Sequence, residues 1–130
     1  LVGKYQEDQG MSLRDTLRTI VENVDGALAV MIMAYDGIPV DEISVEQTEF
    51  DMQLLSVEYA TVLKEIRRSV EVIKAGDMEE VSITTDQTCV AIRVLNDELF
   101  IVLIMKRDCN FGKGRYLLRL KSYELAEELS

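Results

Sequence analysis

Apolar residues fall along this chain in two rhythms. Leu13, Leu17, Ile20, Val21 and Val24 recur at helical spacing, which puts one apolar stripe on a short first helix. Ser12 stands at its start with Asp15 three residues on, a weak capping box, and Asp25-Gly26 stops it. The rhythm then changes. Residues 27–35, ALAVMIMAY, are apolar on both faces and predict a central strand. Asp36-Gly37 is a hairpin turn, and residues 38–43 form the returning strand. Pro39 cannot donate to a ladder, so that strand belongs at an edge.

Helical spacing resumes at about residue 49 and runs to Ala75, where Gly76 ends it. Either Ser44 with Gln47 or Thr48 with Asp51 can cap this second helix. Phe50, Leu54, Val57, Val62, Ile66, Val70 and Ile73 make one stripe, widened by Met52, Leu55, Tyr59 and Leu63. A surface helix needs one stripe; the extra breadth predicts a sheet on one side and a further helix on the other. Residues 79–85, 88–95 and 98–106 read as three strands joined by turns at Asp86-Gln87 and Asn96-Asp97. The last is apolar from Leu99 to Met105 and so central, while EEVSITT is left at an edge. CNFGKG leads to a final helix over 115–129, in which Leu117, Leu118, Tyr123, Leu125 and Leu129 trace no single stripe. The expected fold is α+β, α-β-β-α-β-β-β-α, with a five-stranded antiparallel sheet and helices on both faces.

Length and composition narrow the chemistry. The chain has 130 residues, enough for one domain with a real core. Residues 1–11 carry no periodicity and are expected to be a flexible extension or a cloning remnant, leaving 12–130 as a single domain. The absence of histidine removes imidazole-based triads and most catalytic zinc sites. Cys89 and Cys109 are too few for a four-sulfur zinc site; they fit reduced thiols, and a disulfide between them is also compatible with the sequence. No apolar run is long enough to span a bilayer and no signal-peptide pattern is present, so the expected location is cytoplasmic.

The net charge of -10 disfavours nucleic acid and anionic lipid. No base lies between Arg18 and Lys64, while Glu22, Asp25, Asp36, Asp41, Glu42, Glu46, Glu49, Asp51 and Glu58 are all acidic. That run is either a solvated surface or a docking surface for a basic partner. Lys64, Arg67, Arg68 and Lys74 follow, so the middle helix is acidic at its start and basic at its end. In an antiparallel dimer such helices would place opposite charges together.

The element order resembles the roadblock domain of dynein light chains, and within that family the bacterial MglB-like branch that partners Ras-like GTPases. Two stretches carry the resemblance: the DGIPV turn (Asp36, Gly37, Pro39) after an apolar strand, and GRYLLRLKSYELAEEL from Gly114 to Leu129. The resemblance implies a roadblock-like (profilin-like) fold in a prokaryotic protein. It implies a homodimer in which the third strands pair and the middle helices pack across a two-fold. It also implies that a small Ras-like GTPase docks on that helical platform, with no cofactor and no catalytic residue in the domain. Carried onto this sequence, the dimer interface would use Val81, Ile83, Leu55, Tyr59, Val62 and Ile66. The GTPase platform would use Glu49, Asp51, Glu58, Lys64, Arg67 and Arg68.

Catalytic alternatives find little support in the residues. Asp41-Glu42 and Glu79-Glu80 are strand neighbours that face opposite sides, so neither forms an acid/base pair. Gly112-Lys113-Gly114 lacks the spacing of a phosphate loop. An arginine finger from Arg67 or Arg68 is weighed against a helix C-terminus that attracts bases anyway. Two other functions remain open: a subunit of a transport or motility assembly without GTPase contact, and a small-molecule sensor with a pocket lined by Met31, Met33 and Met105.

Overall fold

The structure, a computed structural model, describes residues 2–45 and 50–129, with side chains described from Leu13 onward. The elements follow the predicted order: α1 (Val2–Asn23), β1 (Ala27–Ala34), β2 (Pro39–Ser44), α2 (Met52–Val72), β3 (Glu80–Thr84), β4 (Thr88–Val94), β5 (Leu99–Lys106) and α3 (Phe111–Leu129). All strands are antiparallel, in the order β2-β1-β5-β4-β3. The two strands apolar on both faces, β1 and β5, lie at the centre, and the Pro39 strand and β3 are the edges.

Period-2 alternation divides the central strands between two cores. Val30, Ile32, Ile101, Leu103 and Met105 face one side, where Leu13, Leu17 and Ile20 of α1, Val24 just after it, and Leu118 and Leu125 of α3 cover them. Ala29, Met31, Met33, Phe100, Val102 and Ile104 face the other side, where α2 is the one helix among the described residues and covers them through Ala60 and Leu63. Ser56 is also buried on α2, and its hydroxyl donates to the Met52 carbonyl at 2.7 Å. Small residues at 56 and 60 let α2 approach the sheet, but they leave little of the helix covered. Leu54, Val57 and Val62 are exposed on the same helix.

Three local expectations are corrected. α1 runs through Ser12 and so Ser12 is no N-cap; polar residues with adequate helix propensity extend a helix without an apolar stripe to announce them. α2 is capped by Asp51, whose carboxylate accepts from the Leu54 amide at 3.1 Å; Ser44 lies in β2, and Gln47 and Thr48 fall outside the described residues. α3 starts at Phe111, four residues early, because Asn110 Oδ1 accepts from the Lys113 amide at 3.1 Å and caps it. Gly112-Lys113-Gly114 is therefore helix and not a loop.

Candidate functional site

The two sheet edges are finished differently. Just past β2 the Val45 amide bonds the Leu28 carbonyl at 2.8 Å, and the register carries this alternation back to Ile43 and Asp41. Glu42 and Ser44 therefore turn their backbone groups outward. The Glu42 amide is already taken by Asp41 Oδ1 at 2.9 Å, and Asp41 is itself held by Arg14 of α1. With Pro39 at its start, β2 is a guarded edge.

β3 has no such guard. The Val94 amide bonds the Glu79 carbonyl at 3.0 Å and the Thr85 amide the Thr88 carbonyl at 2.9 Å. The intervening register makes Val81 and Ile83 bond inward to β4, leaving the amides and carbonyls of Glu80, Ser82 and Thr84 outward. Val81 and Ile83 are half-buried and pack on the α2-side core, as do Leu55 and Tyr59. Leu55, Tyr59, Val62 and Ile66 recur at steps of four, three and four residues, which places them on one stripe of α2. Burial raises the Tyr59 phenol above its ordinary value. The unpaired edge and the apolar stripe thus share one core.

The residues expected to form a docking platform separate. Glu58, Lys64 and Arg68 are exposed, with Arg68 3.4 Å from Glu65. Asp51 is occupied as the α2 cap, and Glu49 lies outside the described residues. Arg67 is held in place: it donates to the Asp97 carbonyl at 2.9 Å and lies 5.0 Å over the Tyr35 ring. Burial raises the Tyr35 phenol, an effect that the Arg67 charge opposes. These residues line an open hollow of about 520 Å³ with Lys64, Arg68, Asp36 and Glu98. The tie from Arg67 to Asp97 joins α2 to the β4–β5 turn, thirty residues on, and no spacing signals it.

The acidic run is also divided by the fold. Asp36 accepts from the Ile38 amide at 3.0 Å inside the hairpin, where Gly37 takes φ +89°. Asp41 and Asp51 are committed as described, and Glu46 falls outside the described residues. Met31 and Met33 belong to the α2-side core and Met105 to the opposite one, all fully buried. They line no common pocket, which removes the support for a sensor. Cys89 and Cys109 are free thiols; burial and the neighbouring Cys89 raise Cys109. Among the described residues no three His, Cys, Asp or Glu side chains are grouped to hold a metal, and no helix is long and apolar enough to cross a membrane.

The chain thus forms an α-β-β-α-β-β-β-α sandwich with one guarded and one open sheet edge. No family model and no curated protein matches the sequence. Among solved structures, MglC from Myxococcus xanthus is 37% identical, over 90% of this chain and 98% of that one, with a TM-score of 0.66. A Roadblock/LC7 domain from Streptomyces avermitilis (11% identity, 88% of this chain and 94% of that one, TM-score 0.77) shares the fold. So does the gliding protein MglB from Thermus thermophilus (12% identity, 88% and 85%, TM-score 0.78). The chain belongs to the roadblock/LC7 family, in its MglB/MglC-like branch.

Proposed function

We propose that this protein is a non-enzymatic homodimeric scaffold that binds a small Ras-like GTPase across its paired α2 helices. The observation that carries the reading is the open β3 edge, continuous with the apolar stripe of α2. Pairing β3 with its copy would satisfy the outward groups of Glu80, Ser82 and Thr84, and bury Val81, Ile83, Leu55, Tyr59, Val62 and Ile66 in one contact. A two-fold makes such a contact self-complementary. The sheet would then be continuous across both copies, ending on guarded β2 strands.

In that arrangement the outer faces of the two α2 helices lie side by side and exposed. Leu54 offers an apolar contact there, with Glu58, Glu65 and Arg68 around it. The GTPase is inferred from the MglB-like resemblance, which the likeness to MglC and MglB supports. With Arg67 tied to Asp97, action through the shape of the partner's switch regions fits better than an inserted arginine.

Size-exclusion chromatography with light scattering tests both parts, alone and with a neighbouring P-loop GTPase loaded with GDP or GTP. A dimer and a complex in at least one nucleotide state are expected. Ile83→Lys, which puts a charge into the edge contact, should give a folded monomer. A wild-type monomer, or no complex in either state, would refute the corresponding part.

A further inference from the structure

The turn between β1 and β2 is seated on α2: a Cβ on Gly37 would lie 3.5 Å from both the Cα and the Cγ2 of Val57. Around that contact four large apolar side chains stand open to solvent. They are Ile38 (63%) and Val40 (48%) on the hairpin, and Leu54 (58%) and Val57 (53%) on the helix. Leu54 and Val57 are three residues apart and so share a face of α2. Val57 is two residues from both Leu55 and Tyr59, roughly 200° around the helix axis, on the flank opposite the stripe that continues into β3. The contact proposed for dimerisation therefore leaves the patch open. Exposed apolar residues are ordinary when scattered; four drawn from two elements around one contact mark an interaction surface.

The rim of the patch is acidic. Glu42 pairs with Met31 in the register, and Met31 faces α2, so Glu42 stands on that side of the sheet. Glu42 and Glu58 are exposed and have no cationic partner among the described residues. Asp36 accepts from the Ile38 amide, a neutral donor that leaves its charge without a cation. Arg14, the base that reaches β2 from α1, is taken up by Asp41 on the other side of the sheet. No lysine or arginine occurs from residue 19 to residue 63. Lys64 is the first base beyond the patch; Arg67 and Arg68 after it are engaged by Asp97 and Glu65.

We propose that this patch docks a segment of another protein that carries apolar side chains flanked by lysine or arginine. The apolar residues supply the contact area, and the three uncompensated carboxylates attract a cationic rim and repel an anionic one. A second copy of the patch fits less well. A two-fold contact would gather Asp36, Glu42 and Glu58 of both copies, with one unpaired lysine per copy to offset them. Anionic lipid and nucleic acid are repelled by the same charges. The patch is complete on one copy of the chain, so the proposal depends neither on the dimer nor on the GTPase reading.

The test pans a phage library of random peptides on the purified full chain. Recovered sequences should be enriched in apolar residues flanked by lysine or arginine. Synthetic copies should bind more weakly as salt is added, and lose about tenfold in affinity with Val57→Ser and about threefold with Glu42→Lys. Circular dichroism checks that these exposed substitutions leave the fold intact. Recovery of no peptide, recovery of acidic or uncharged peptides, or binding indifferent to both substitutions would overturn the proposal. So would a wild-type assembly larger than a dimer that Val57→Ser reduces, because the occupant would then be a second copy. Neither substituted residue belongs to the platform proposed for the GTPase, so either reading can fail while the other stands.

Discussion

At Gly114 helix α3 comes so close to the sheet that a Cβ would stand 2.6 Å from the Met105 sulfur. Gly114→Val should therefore overpack the core and lower stability by about 1–3 kcal/mol in urea unfolding. Gly112, two residues earlier, meets only Asn110 Oδ1 at 4.0 Å. Gly112→Ala should stabilise by up to about 1 kcal/mol through helix propensity in the same assay. The phenols give a second readout at this scale. Burial favours the neutral forms of Tyr59 and Tyr35, so their folded pKa values lie above the unfolded ones. That contribution is fully present below the ordinary tyrosine pKa and is lost as pH rises through the raised values. Ultraviolet difference titration should show two late-ionising phenols, one removed by Tyr59→Phe and the other by Tyr35→Phe.

For whole elements, boundaries follow capping chemistry more closely than apolar stripes. Asp51→Ala removes the side-chain acceptor for the Leu54 amide and should cost about 1 kcal/mol, read by thermal unfolding. The stripe of α3 was illegible in sequence because two of its buried positions are Gly114 and Ser122. Small residues mark close approach, and an apolar count passes over them. The strands were legible for the converse reason: β1 and β5 are apolar on both faces, which only a central strand between two helical layers requires. Pro39 identified one edge in the same way. That β2 is also guarded by its own Asp41 depends on Arg14, twenty-seven residues away, and could not be read.

Across the molecule, charge is grouped by segment. The base-free run supplies β2 and the start of α2, while Lys113, Arg115, Arg119 and Lys121 stand in the first part of α3, before Glu124, Glu127 and Glu128. Fewer α2 charges are free than the sequence suggests, since Asp51 caps the helix and Arg67 bonds Asp97. Glu58, Lys64 and Arg68 are left exposed on the surface proposed to receive the GTPase. The dissociation constant of that complex should accordingly rise from low to high salt. A constant that did not move would leave the α2 contact purely apolar.

The sequence by itself determined the order of elements, the central and edge strands, the hairpin at Asp36-Gly37 and the surplus of acid. Each is a local property, set by side-chain period, turn chemistry or counting. Only the tertiary structure decided that α2 is the one helix on its face among the described residues, that Met31 and Met105 lie in separate cores, and that Asp41, Asp51 and Arg67 are already engaged. Periodicity states that a face is buried but not against what. Those pairings join residues distant in the chain, and they are fixed by which surfaces the packed layers bring within reach.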